Sequence, residues 1–168
     1  MNVCLMFPGQ GTPKPGMLCS VLGLDAENEI PYDRCAQLAI MAAKECLEHS
    51  GSDYSEEDPF RRGVAVGTSL GGMLNGQTFH RQWLSQGRDQ ADANDLQLYP
   101  LHAMVDVLSK KYHFKGVKNV ISTACAASGN IVGYGSDMIK SGKHDMMLVG
   151  GVDPLLILAP KPSSSATM

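Results

Sequence analysis

A chain of 168 residues with 43% apolar residues is long enough for one domain with a real core. Its formal net charge of −3 and its 18% of charged residues argue against nucleic-acid binding. Phosphate recognition needs clustered Lys and Arg, and here Arg61-Arg62 and Lys110-Lys111 are only isolated pairs. No apolar run approaches the roughly 18 residues that span a bilayer, so no membrane segment is expected.

The opening Val3-Cys4-Leu5-Met6-Phe7 is too short for a signal-peptide core, and Pro8-Gly9 stops it. Without an export signal, the expected location is cytoplasmic and the cysteines are expected to be reduced. They fall at 4, 19, 35, 46 and 125, and no two form C-x-x-C. That spacing gives no metal site and no redox motif, and no cofactor is expected. Residues 1–31, punctuated by Pro8-Gly9, Pro13 and Pro15-Gly16, read as irregular.

Residues 32–50 read as a helix. Pro31 suits a first-turn position, and Leu38, Ala42, Ala43, Cys46 and Leu47 repeat at helical spacing before Gly51. Ser52 to Pro59 is an acidic loop. Val64-Ala65-Val66 is a short buried-type strand followed by Gly67-Thr68-Ser69-Leu70-Gly71-Gly72. A helix around Phe79 to Leu84 and then a loop are expected. From Pro100 a second clear helix places Leu101, Met104, Val105 and Leu108 on one face. Asn119 to Thr123 is strand-like, Ala124 to Ser141 helical, and Asp145 to Val149 a second buried-type strand ending at Gly150-Gly151. Helices alternating with short strands define an α/β class. The Pro- and Ser-rich tail, 159–168, is expected to be disordered.

Two residues are candidate nucleophiles. Cys125 lies where a strand ends and a helix begins, in Ser122-Thr123-Ala124-Cys125-Ala126-Ala127-Ser128. A helix N-terminus favours negative charge and offers N–H groups to an oxyanion. The small neighbours Ala124, Ala126 and Ala127 would let an acyl chain approach the sulfur. The alternative is that Cys125 is a small residue in a tightly packed core helix. Gly129, Gly133 and Gly135, each costing about 1 kcal/mol in a helix interior, suggest close packing against another backbone. The second candidate is Ser69, since Gly67-Thr68-Ser69-Leu70-Gly71 satisfies G-x-S-x-G after a strand. It would need a His base, and spacing places none of His80, His102, His113 or His144 beside it. His49 and His113 are expected at helix ends and His144 in a turn, all ordinary surface positions.

From about Tyr32 to Leu155 the sequence resembles the β-ketoacyl synthases of fatty acid and polyketide assembly. Three segments carry the resemblance in register: Val66 to Gly72, Ile121 to Ser128, and Ile139 to Asp153. The resemblance implies a thiolase-like layered α/β fold, present here only as part of its N-terminal half, with 32–158 as the domain. It implies that Cys125 accepts an acyl group from a carrier-protein or coenzyme A thioester. A malonyl-type extender would then be decarboxylated and attack the acyl-cysteine. Implied partners are the acyl carrier protein or coenzyme A thioester and, for assembly, a homodimer or a complementing ketosynthase chain. Asn119 to Thr123 would lie at the dimer contact. No metal is implied.

The chain departs from the family in three respects. It is much shorter, and the downstream H-G-T-G-T and N-x-x-G-H motifs are absent. After about Leu155 the similarity fades, as expected of a truncated gene product or one piece of a split enzyme. At the start, Phe7-Pro8-Gly9-Gln10-Gly11 instead resembles malonyl-type acyltransferases, whose G-H-S-x-G carries a His where Thr68 stands.

Overall fold

Two apolar runs without polar alternation become strands buried on both faces. In the computed structural model, which describes residues 3–5, 34–51, 53–56 and 58–154, these are β2 (Arg62–Gly67) and β4 (Met146–Gly151). They pair in parallel at the centre of a four-stranded sheet. β3 (Lys118–Ile121) flanks β2, and β1 (Val3–Leu5) flanks β4, giving the order β1-β4-β2-β3 with every pairing parallel.

Alternation within the central strands sends side chains to two layers. Val64, Val66, Met146 and Leu148 meet α1 (Arg34–Ser50) and α4 (Ala103–Tyr112), burying Ile40, Leu47, Met104, Val105 and Phe114. Ala65, Met147 and Val149 meet α5 (Ala127–Lys140) through Ile131 and Ile139. The Tyr112 hydroxyl donates to the Ile40 carbonyl at 2.7 Å and joins α4 to α1. Burial, aided by Tyr54 and Glu48, pushes that phenol up to about 12. Between β2 and α4 lie α2 (Met73–Gln86) and the short α3 (Asn94–Gln97).

Several elements differ from the sequence expectation. Val3–Leu5, read as irregular, is an edge strand, with Val3 opposite Met146 and Leu5 opposite Leu148. Three residues are too few to display a period, so the neighbouring strand defines this one. The rest of 1–31, the start of the predicted helix at 32 and the tail 159–168 lie outside the described residues. The helix expected near Phe79 is longer, Met73–Gln86. The helix expected from Ala124 begins its α-helical part only at Ala127, after a 3₁₀ turn over Ala124–Ala126.

His144, expected on the surface, instead ties the beginnings of strands together. The Val117 N–H donates to His144 Nε2 at 2.9 Å, so the ring must be neutral there. Beside it, Arg61 pairs with Asp145 and donates to the Gly142 carbonyl. Burial and the Arg61 guanidinium hold the imidazole below its usual range, only partly opposed by Asp145. Because the folded value is depressed, this stabilisation is complete above the unfolded pKa. It is lost as pH falls through the folded value. Thermal melting of the wild type is therefore expected to drop as pH falls below about 6.5, and that drop to flatten in His144→Gln. Equal slopes in the two proteins would contradict the assignment. The Asp145 carboxyl, held below the usual carboxylate range by Arg61, responds only at lower pH.

Candidate active site

Three parallel strands end at the same edge of the sheet, and each delivers a turn there. Ser69 follows β2, Cys125 follows β3 and Asp153 follows β4. Carboxyl ends of parallel strands are where open α/β sheets place their ligands.

Cys125 is exposed, as are Ser122, Thr123, Ala124 and Ala126 around it. It lies in the 3₁₀ turn immediately before the 14-residue helix α5, whose N-terminal end faces this turn. Among the described residues other than glycine, only His113 and Ala124 have positive φ, and Ala124, at 49°, precedes the cysteine directly. The left-handed conformation costs a residue with a Cβ about 1–2 kcal/mol and tends to be retained at functional sites. The turn is held from above by Asn130 Nδ2, which donates to Thr123 Oγ1 at 2.8 Å. The Ala126 and Ala127 N–H groups are used within the turn, on the Thr123 and Ala124 carbonyls. Those two donors are thus not open to an oxyanion.

From below, the turn is carried by glycine backbone. A Cβ on Gly67 would lie 2.6 Å from both the carbonyl carbon and oxygen of Ala127. A Cβ on Gly151 would lie 1.7 Å from Ser128 Oγ. The first turn of α5 therefore rests on the last residues of β2 and β4. The glycines inside α5 behave differently from expectation. Gly135 makes room for the Val149 side chain, whereas Gly129 and Gly133 have nothing within 4 Å of a Cβ.

The turn after β2 is organised by a carboxylate. Asp153 Oδ1 accepts from Thr68 Oγ1 at 2.7 Å, from the Ser69 N–H at 2.7 Å and from the Leu70 N–H at 2.8 Å. Thr68 is fully buried, and its Oγ1 accepts in turn from the Gly71 N–H at 2.9 Å. Ser69 does not occupy a nucleophile elbow, because its backbone is not in the positive-φ region. No hydrogen bond among the described residues joins a histidine to it. His80, His102 and His113 are exposed, and His144 belongs to the opposite end of the parallel strands.

The other cysteines with described side chains are less accessible. Cys35 is buried, and Cys46 is half-buried with its thiol pushed up by burial. Among the described residues, no group of three or more His, Cys, Asp or Glu could hold a metal ion. None of the described helices is long and apolar enough to cross a membrane.

Residues 20–162 match the β-ketoacyl synthase N-terminal domain. The chain belongs to the β-ketoacyl synthase family. It is 29% identical over 138 residues to the tetracenomycin polyketide synthase ketoacyl synthase alpha subunit of Streptomyces glaucescens, covering 78% of this chain and 32% of that protein. It is 27% identical over 130 residues to 3-oxoacyl-[acyl-carrier-protein] synthase 2 of Staphylococcus aureus, covering 77% and 32%. The chain thus spans about a third of the length of these curated relatives.

Among solved structures, a type II polyketide ketosynthase bound to the hexaketide, in complex with its acyl-carrier protein, matches with a TM-score of 0.69 and 25% identity. The match covers 74% of this chain and 36% of that one. The ishigamide ketosynthase/chain length factor, at 20% identity and a TM-score of 0.61, shares the fold. The architecture is accordingly a partial thiolase-like α/β fold, comprising one parallel sheet with its helical layers.

Proposed function

We propose that this chain carries the acyl-accepting step of a β-ketoacyl synthase, with Cys125 as the nucleophile. The observation that supports it most is an exposed thiol between a left-handed residue and the N-terminal end of a long helix, in a member of this family. The Cys125 thiolate attacks the carbonyl of an acyl thioester. The carrier thiol leaves with its sulfur, and the acyl group remains on Cys125. The donor is the thioester of an acyl carrier protein or of coenzyme A. Support for a carrier protein comes from the related ketosynthase solved with one.

Condensation follows in the whole enzyme. A malonyl-type extender loses carbon dioxide, and its carbanion attacks the acyl-cysteine to release a 3-oxoacyl thioester. These 168 residues contain neither downstream histidine motif, so they are expected to form no 3-oxoacyl product from a malonyl thioester alone. A complementing ketosynthase chain would supply the missing motifs, whereas a homodimer, the other assembly the family implies, would lack them in both copies; either assembly needs a contact face. Support for one comes from the outward face of α5, where Gly129, Asn130 and Gly133 are exposed, and from β3, a sheet edge.

The test is competitive alkylation with peptide-resolved mass spectrometry. Under limiting iodoacetamide at neutral pH, Cys125 is expected to label at least tenfold faster than Cys46 and Cys35. A thiol must be both accessible and ionised to react, and the other two are covered. Labelling of Cys125 no faster than Cys46 would overturn the activated-thiol reading.

A further inference from the structure

Asp153 reaches the nucleophile turn through the strand ends beneath it. Thr68, which Asp153 grips by its hydroxyl, donates its N–H to the Ile121 carbonyl at 3.1 Å. Ile121 is the last residue of β3, from which the cysteine turn departs. On the other side, the Val152 N–H donates to the Gly67 carbonyl at 3.1 Å. The ends of β3, β2 and β4 are thereby laced together beyond the sheet. Gly67 and Gly151, the two backbones under the first turn of α5, are the strand ends so joined.

A single carboxylate oxygen accepts three short hydrogen bonds from consecutive residues 68, 69 and 70. Hydrogen bonds to a charged acceptor are the stronger kind. Thr68 adds a geometric constraint. Its hydroxyl donates to Asp153 and accepts from Gly71, so both its position and its proton are assigned. Valine has the same shape and can do neither.

We infer that Asp153 and Thr68 form a clasp that positions the Cys125 turn, with Asp153 as a positioning residue for the acyl-accepting thiol. The inference rests on the assignment of Cys125 above, but its test does not require acyl transfer. With the clasp intact, the ends of β2 and β4 fix the first turn of α5, and the thiol stays at the helix end where negative charge is favoured. With it opened, the 122–126 turn can drift from that end.

The experiment uses the full chain and measures the iodoacetamide rate of Cys125 relative to Cys46 in the same molecule, well below the melting temperature. Asp153→Ala and Thr68→Val are each expected to lower that ratio at least threefold. The double variant should lower it no further than the stronger single one. Thr68→Ser, which keeps the hydroxyl, is expected to restore the wild-type ratio. A clasp that serves stability alone would lower the melting temperature and leave the ratio unchanged. An unchanged or raised ratio in Thr68→Val overturns the inference. If Asp153→Ala does not fold, Asp153→Asn keeps an acceptor oxygen, and it and Thr68→Val carry the comparison. Failure of wild-type Cys125 to outpace Cys46 would instead strike the Cys125 assignment, because the variant-to-wild-type ratio remains measurable.

Discussion

Gly67→Ala is expected to destabilise the chain by about 1–3 kcal/mol, the usual penalty for overfilling a packed site. That corresponds to a melting temperature lower by several degrees. The new methyl would meet the carbonyl carbon and oxygen of Ala127 at 2.6 Å and the Ser128 nitrogen at 2.8 Å. All three are backbone atoms of the turn leading from Cys125 into α5, so no side-chain rotation relieves the contact. Either the end of β2 moves or the first turn of α5 lifts. Gly133→Ala is the matched control, since nothing lies within 4 Å of the added atom. There the substitution is expected to stabilise by up to about 1 kcal/mol, because alanine is the better helix former. Opposite signs for the same chemical change would be read directly in thermal melts. Equal effects would mean that α5 does not rest on β2 as described.

Arg62→Ala is expected to cost about 3 kcal/mol or more, judged by large-to-small core substitutions and the loss of a donor to a partly buried carbonyl. Arg62 is only 5% exposed, yet among the described residues it forms no ion pair. Its guanidinium donates to the Tyr54 carbonyl at 2.6 Å and lies 5.4 Å from the ring centroids of both Tyr54 and Phe114. Those rings meet edge to face, so the arginine, the loop before β2 and the segment after α4 form one packed unit. Alanine would leave a cavity between two aromatic rings. Arg62→Met separates volume from charge. It keeps most of the packing and removes a buried cation whose Nε has no acceptor among the described residues. Its cost is expected to stay within about 1.5 kcal/mol, since apolar replacement of a buried charge is often near neutral. A methionine variant as damaged as the alanine one would show that the hydrogen bond and ring contacts outweigh packing. Chemical denaturation of the three proteins checks this.

Much of the fold is legible from periodicity. The α4 stripe through Met104, Val105 and Leu108 is buried as its spacing requires, but in α1 only Ala43 and Leu47 of the expected stripe are buried, while Leu38, Ala42 and Cys46 are half-buried and the inward face runs through Ala39 and Ile40. The runs at Val64 and Met146 become central strands because they have no polar side to expose. What escapes the sequence is whatever a distant partner decides. β1 exists because Met146 to Leu148 offers an edge to pair with. His144 is an ordinary turn residue until the Val117 N–H, 27 positions away, donates to it.

The site follows the same division. Cys125 becomes a candidate because a strand, a turn and a helix meet in one continuous stretch, and the family resemblance of Ile121 to Ser128 then raises it above the other cysteines. Asp153 cannot, because its partner Thr68 is 85 residues earlier and one carboxylate after Gly150-Gly151 carries no spacing signal. The glycines escape sequence reasoning for a related cause. Helix propensity marks Gly129 and Gly133 as costly without saying which neighbour justifies the cost, and among the described residues none does. The close backbone approaches fall instead at Gly67 and Gly151, the strand ends. The positive φ at Ala124, which delays α5 until Ala127, also has no local signature, since alanine is the residue least suggestive of a helix break.

The most direct measurement is intact-protein and peptide mass spectrometry after incubation with an acyl thioester. One acyl group is expected on the peptide containing Cys125, released by hydroxylamine as a thioester should be. It is expected to be missing in Cys125→Ser, with Cys35 and Cys46 unmodified. An acyl adduct spread over the cysteines according to exposure alone, or one that persists in Cys125→Ser, would contradict the assignment of Cys125 as the acyl acceptor.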